Sequence, residues 1–254
     1  MTPQSEEIQP TDAPGAPTAA SRARLIARWD AIETAFAAEY YSGESQLLTT
    51  AVPRIRKAVE GVFVIHGSRR PDVVVTAVHG TNHVRDGKEK WADRGTGSLA
   101  ILLSEITGCT ALVTLGADGD GNHDFTHPAK TVLLDLPGVR TLVDLHGSAH
   151  LPDSPDIEIG TATGYVPDEF IGSVTANQTL RVLVDVARTA RNARRITMLA
   201  QTHGIRAVQL EIDALRRPPV GNPAPRAELL DALTAALVAT PVPTPADTTA
   251  EGKR

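Results

Sequence analysis

The sequence predicts an α/β protein with a mixed, largely parallel central sheet flanked by helices. Three observations lead there. Short β-branched runs alternate with amphipathic stretches along the middle of the chain. That alternation, with no internal repeat, is the pattern of parallel strands joined by crossover helices. The composition, 41% hydrophobic and 22% charged over 254 residues, is that of a globular domain.

Each element follows from local pattern. Residues 1–20 are rich in Pro, Ala, Thr and acidic residues without apolar periodicity, and read as a disordered tail. Residues 240–254 read the same way, which leaves one domain over 21–239. Val62–His66 and Val73–Val78 have the β-branched content of strands. Thr96–Thr107 places Leu99, Leu102, Leu103 and Ile106 at helical spacing. Ala111–Leu115 reads as a buried strand, Lys130–Leu136 as a short helix and Thr141–Leu145 as a strand. Thr179–Asn192 is expected to be helical, from the spacing of Leu180, Val182, Leu183, Val186 and Ala187. Ala207–Ile212 is a strand, and Arg226–Val238 a last helix begun after Pro223 and Pro225.

Composition also excludes function classes. A net charge of −5 gives no basic footprint for nucleic acid or an acidic membrane surface. No apolar run approaches a bilayer span, and the first residues lack the basic and apolar regions of a secretory signal. Cys109 is the one cysteine, so no internal disulfide forms. A cytoplasmic location fits best. A metal would have to be held by His, Asp or Glu, because a site of several thiolates is impossible.

Three strands run into residues able to do chemistry. DVVVTAV ends on His79, TLVDL on His146, and AVQL on Glu211. Ligands of open α/β sheets bind outside the carboxyl ends of the strands. Gly80 and Gly147 directly follow the two histidines and let the backbone turn away, which exposes the imidazoles. Two imidazoles and one carboxylate, with a position left for water, make a catalytic zinc site. Asp93, before Gly95-Thr96-Gly97, is the preferred acidic ligand, with Asp213, Asp86 and His83 as rivals. Asp144 stands two residues before His146 on the same strand face and can orient it. Glu211 fits a general base toward a zinc-activated water. Arg85 or Arg94 can stabilise an oxyanion or hold a substrate carboxylate, and Arg216 is another such clamp. Asp118 to Asp124 superficially matches a calcium loop but has Ala129 where the bidentate Glu belongs. It reads instead as a loop shaping the substrate pocket, with Asn122 as a substrate contact. His127, His150 and His203 read as surface residues, and Cys109 as a packing residue.

At these residues the chain resembles the N-formylglutamate amidohydrolase group and its relatives, aspartoacylase, succinylglutamate desuccinylase, poly-γ-glutamate hydrolase and, more distantly, zinc carboxypeptidases. The pieces are VVVTAVHG, HVRDGKEKWADRGTGSLA, GADGDGNHD, TLVDLHGS and GIRAVQLEIDALRR, in that order over about residues 72 to 217. The resemblance implies a zinc-carboxypeptidase-like sheet with one zinc ion at the strand ends, held by His79, His146 and Asp93, and Glu211 as the catalytic carboxylate. Deacylase and carboxypeptidase relatives carry an acidic ligand three residues after the first histidine. Here that position is Asn82, so the acid must come from elsewhere. The function implied is hydrolysis of a linear amide in a small, carboxylate-bearing substrate, an N-acyl amino acid or γ-glutamyl compound. Two other readings share these residues: a binding or accessory protein that keeps the fold without catalysis, and a carboxypeptidase- or esterase-type hydrolase.

Overall fold

The computed structural model describes residues 18–42, 46–116 and 119–241. Most of both expected tails, 1–17 and 242–254, lies outside the described residues. Helix α1 (Ala19–Ser42) nevertheless begins inside the stretch read as the first tail. Thr240, assigned to the second tail, is a buried cap of the last helix.

The remaining elements alternate as the pattern requires. A short helix α2 (Leu47–Ala51) leads to strands β1 (Arg56–Val59), β2 (Val62–Ile65) and β3 (Arg70–Ala77). A hairpin of β4 (His83–Arg85) and β5 (Lys88–Lys90) precedes helix α3 (Thr96–Thr107) and strand β6 (Cys109–Thr114). Then come α4 (Pro128–Asp135), β7 (Thr141–Ser148), β8 (Ile157–Gly160), α5 (Asp168–Thr175) and β9 (Val182–Val184). Helix α6 (Ile196–Thr202), strand β10 (Arg206–Asp213) and helix α7 (Pro223–Ala239) complete the order. No helix among the described residues is long and apolar enough to cross a membrane.

The main sheet has the order β1-β2-β6-β3-β7-β10-β8-β9. Its centre, β6-β3-β7-β10, is parallel throughout, while β2 and β8 join it antiparallel on either side. The fold is therefore a mixed, largely parallel sheet between two helical layers. Alternation along the strands shows the layers. Val73, Val75, Ala77, Val143, Leu145, Val208, Leu210 and Ile212 pack with residues of α1, α3, α5 and α7. Val74, Leu142 and Ala207 face the other way, against Ala129 and Leu133 of α4 and Ile196 and Ala200 of α6. Central strands buried on both faces read as continuous apolar runs, which is why VVVTAV and TLVDL were legible.

One expected helix is a correction. Thr179–Asn192 forms a turn, strand β9 and a loop over 185–195. Its apolar residues fit two periods at once, and pairing decided between them. Val182, Leu183 and Val184 pair in parallel with Ile157, Glu158 and Ile159 of β8. Asp185, at φ 52, then turns the chain out of the strand, and Val186 is exposed.

The topology also places a crevice. From β3 the chain crosses to β6 on one side, and from β6 it returns to β7 on the other. The carboxyl ends of β3 and β7 therefore flank the point where strand order reverses, where open α/β sheets bind ligands.

Candidate metal centre and cleft

Strand register brings the chemistry together. On β7 and β10, which are parallel neighbours, Asp144 lies beside Gln209 and His146 beside Glu211. His79 follows the end of β3, the neighbour on the other side. Asp93 arrives from the segment after β5. Its backbone N–H donates to the His79 carbonyl at 2.8 Å, which docks the loop against the strand end. Asn82, in the place where relatives of the resembled group carry an acid, braces that same loop. Its amide donates to Glu89 Oε1 and its Oδ1 accepts from Ala92 N, both at 2.9 Å.

Asp93 Oδ2 stands 2.9 Å from His146 Nδ1 and 3.6 Å from His79 Nδ1. Tetrahedral ligands at zinc distances lie roughly 3.3 Å apart, so this trio has the spacing of one coordination sphere. The far nitrogens are backed by carboxylates. His79 Nε2 is 2.8 Å from Asp120 Oδ1, and His146 Nε2 is 3.0 Å from Asp144 Oδ2. A hydrogen bond from Nε2–H to an acid leaves Nδ1 as a lone-pair donor, the arrangement metal-binding histidines use. His146 Nε2 also meets Asn122 Nδ2 at 2.6 Å. The Asn122 amide is oriented by Ile196 N–H donating to its Oδ1 at 3.0 Å. Asp144 and Asn122 thus offer His146 opposite tautomers, and the one bonded to Asp144 frees Nδ1 for a metal. The donor set, two nitrogens and a carboxylate oxygen with acidic backing, fits a divalent zinc-like ion.

The electrostatics are those of a site expecting a cation. Burial pulls the His146 pKa down, but the charge and hydrogen bond of Asp144 and the bond to Asp93 outweigh it and hold it well above 6.5. Burial likewise lowers His79, yet its bonds to Asp120 and Asp93 carry the net shift upward. Burial pushes Asp93 and Asp120 up, and their histidine partners bring both far below the usual carboxylate range.

Asp120 was not singled out from sequence, although it is the most connected residue here. It is fully buried and meets His79, His83 Nε2 at 3.3 Å and Arg85 Nε at 2.5 Å. The His83 ring stacks on His79 at 4.0 Å. A signal was present in the Gly-rich GDGNHD run after a strand, which the calcium-loop comparison set aside. Gly121 is required there, because a Cβ would stand 2.5 Å from Val78. Ala117 and Asp118 lie outside the described residues.

The cleft above the trio has a volume near 280 Å³. His79, Asp93, His146 and Glu211 form its floor, and Asn122 and Arg85 also line it. Glu211 is buried, with Oε1 accepting from Gln209 Nε2 at 2.7 Å and Oε2 from Arg188 Nη1 at 2.8 Å. Arg94 and Arg216 are corrections, because neither lines the cleft. Arg94 lines a separate small cavity with Glu33, Phe36 and Tyr40 of α1. Arg216 is held by Asp156 at 2.6 Å and Glu228 at 2.5 Å. The rival ligands are also placed: Asp213 pairs with His150 at 3.0 Å, and Asp86 sits in the β4–β5 turn. His127, read as a surface residue, is buried and caps α4 through Nδ1. Cys109 is buried, and burial pushes its thiol up to about 11, which suits a packing role.

Arg217 was missed as well. Its guanidinium donates to the carbonyls of Ile212 at 3.0 Å, Ser148 at 3.1 Å and Arg94. Those carbonyls belong to the segments that present Glu211, His146 and Asp93. One buried cation thus ties the three segments together beneath the cleft.

No protein-family model matches the chain, and no curated protein matches it. Solved structures do. An N-formylglutamate amidohydrolase from Ralstonia eutropha aligns with a TM-score of 0.50 and 12% identity, over 71% of this chain and 98% of that one. The LapA aminopeptidase of Legionella pneumophila aligns with a TM-score of 0.52 and 10% identity, over 93% and 79%. A metallo-carboxypeptidase from Burkholderia cenocepacia aligns at 0.46 and 13%, over 80% and 67%. At these identities the likeness is one of architecture, and it agrees with the sheet that the sequence predicts.

Proposed function

We propose that this chain is a zinc-dependent amidohydrolase that cleaves a linear amide in a small, carboxylate-bearing substrate, an N-acyl amino acid or γ-glutamyl compound. One observation supports this above the others. Two imidazole Nδ1 atoms and one carboxylate converge at parallel strand ends, with Glu211 in register beside His146. Zinc, when bound, supplies a Lewis acid that polarises the amide carbonyl and acidifies water. His79, Asp93 and His146 would hold it, and Asp120 and Asp144 would orient the two imidazoles. Glu211 accepts a proton from the attacking water at a carboxylate oxygen and returns it to the leaving nitrogen. Arg85, fixed by Asp120, offers its outer guanidinium nitrogens to the developing oxyanion.

The test is metal content, measured by elemental analysis on wild type and His146→Ala together. About one zinc per chain is expected in wild type, and loss of it in the variant. Glu211→Gln should keep the metal and lose about two to four orders of magnitude in turnover on N-acyl amino acids. No metal in wild type, even after adding zinc, would remove the mechanism and favour a binding protein on this fold. Esters and peptides assayed beside the amides separate the amidohydrolase from an esterase or carboxypeptidase.

A further inference from the structure

The cleft is lined by more cations than its floor can use. Arg85, Lys90, Arg188 and Arg195 face Asp93 and Glu211 in a chain whose net charge is −5. Such local reversal attracts an anionic ligand. Among these cations Arg188 has a peculiar partner, since its guanidinium pairs with Glu211, the carboxylate assigned as base. Glu211 is the one side chain that guanidinium meets among the described residues, and Arg188 also lines the cleft.

The two ends of Arg188 behave differently. Its backbone is anchored, because the N–H groups of Ala187 and Arg188 both donate to Glu158 Oε1 on β8. Glu158 lies opposite Glu211 in the β10–β8 pairing, so the anchor sets Arg188 next to the base. Its carbonyl also packs on Gly160, where a Cβ would stand 2.3 Å away. The side chain, by contrast, is 46% exposed. Glu211 needs no help from Arg188 to keep its place. Its other oxygen is held by Gln209, whose own Oε1 accepts from Arg195.

We propose that Arg188 is the receptor for the substrate's carboxylate and that it is exchanged between two anions. It pairs with Glu211 in the free protein and turns to the substrate carboxylate on binding, which leaves Glu211 Oε2 open to take a proton. One carboxylate replaces another on the same guanidinium, so the exchange needs little net free energy. A substrate without a carboxylate leaves the base occupied. Selectivity then acts on turnover as well as on binding. The role of Glu211 as base rests on the function proposed above.

Calorimetric titration of glutarate into the full-length chain tests the exchange without turnover. Arg188→Gln should weaken glutarate binding about ten- to hundredfold, the scale of a charge-assisted contact. Glu211→Gln should tighten it about two- to fivefold, since a competing half-exposed ion pair is removed. In the Arg188→Gln background that gain should vanish, which separates exchange from simple charge repulsion. Wild-type affinity in Arg188→Gln would assign the carboxylate to another cation and overturn the proposal. An equal gain from Glu211→Gln with and without Arg188 would overturn it too. Thermal unfolding of Arg188→Gln should match wild type, because its half-exposed side chain supports no core. The outcomes stay separable: glutarate binding as expected without any amide hydrolysis counts against the proposed function alone. Hydrolysis with unchanged KM for carboxylate substrates in Arg188→Gln counts against the exchange alone.

Discussion

The floor of the cleft and its rim are built by different means. The floor is set by a sheet. His146 and Glu211 lie side by side because β7 and β10 run parallel in one register, and His79 follows β3, the adjacent strand. Its two imidazoles and Glu211 are buried, and each is held by a second group, Asp120, Asp144 or Gln209. The rim comes from the β4–β5 hairpin and the 185–195 loop. It is cationic and open, with Trp91 83% exposed at its edge. Sheet geometry leaves the floor little freedom, which suits metal coordination. Loops let the rim change without disturbing the fold, which suits substrate choice.

If the floor is one rigid unit, its greatest weakness is the residue that ties it together. Arg217→Met should be the most damaging substitution away from the ligands. It leaves the carbonyls of Arg94, Ser148 and Ile212 without their donor. It also strips a cation from among Asp93, Asp213, Glu33 and Glu211. A loss of about 3–5 kcal/mol is the scale for breaking a buried charged group's contacts. Urea unfolding measures it. A loss below about 1 kcal/mol, the scale of an exposed pair, would mean that the floor is held by the sheet alone.

A smaller effect separates floor from rim at a single contact. Asp120→Asn should weaken zinc affinity about 10–100-fold, since an amide orients His79 poorly. Arg85→Gln removes a part-exposed partner of Asp120 from the rim side and should leave zinc affinity within about twofold, since Asp120 keeps its bond to His79. Competition with a zinc-responsive dye reads both. Equal losses would show that Arg85 belongs to the floor.

The same division governs what could be read from the sequence. His79, His146 and Glu211 were legible because buried parallel strands announce themselves as apolar runs, and each run ends on the residue in question. Asp93 could be preferred but not separated from Asp213, Asp86 and His83, since nothing in KWADRG states that its backbone will dock on His79. Asp120 and Arg217 act through contacts spanning 41 residues to His79 and 123 residues to Arg94, which no local pattern encodes. The hairpin was legible and overlooked: Asp86-Gly87, at φ 51 and 72, is the dipeptide of a tight two-residue turn. Arg188 was hidden by an ambiguous period, because a segment read as a helix is a strand and a loop. Arg94 and Arg216 lie close in sequence to Asp93 and Glu211. Their side chains leave on the far side.

Between floor and rim stands His127, and it gives the subtlest way to sharpen the contrast. It caps α4 just after the loop that carries Asp120 and Asn122, and lines a second concavity with His123, Phe125 and Arg194. Burial first, and the charge of Lys130 second, lower its pKa to about 4. A histidine lowered from 6.5 to about 4 is neutral in the folded chain while the unfolded chain takes up a proton. Stability should therefore fall as pH drops from about 6.5 to 4, by about 1–3 kcal/mol in full. His79 and His146 are raised, so in the metal-free chain they act in the opposite sense near 6.5, where the unfolded imidazoles are still taking up protons, and they do so in wild type and variant alike. Their contribution is lost above it, as pH rises through their folded pKa. Asp93 and Asp120 are lowered, and theirs is lost below it. Glu33, raised by burial, acts in the opposite sense just above 4.5 and is common to wild type and variant. His127→Asn keeps a good helix cap without a titrating ring. Urea unfolding of the metal-free chain at pH 6.5 and 4.5 should show wild type losing more stability than the variant. Equal losses would place His127 in contact with solvent, on the rim side of the divide.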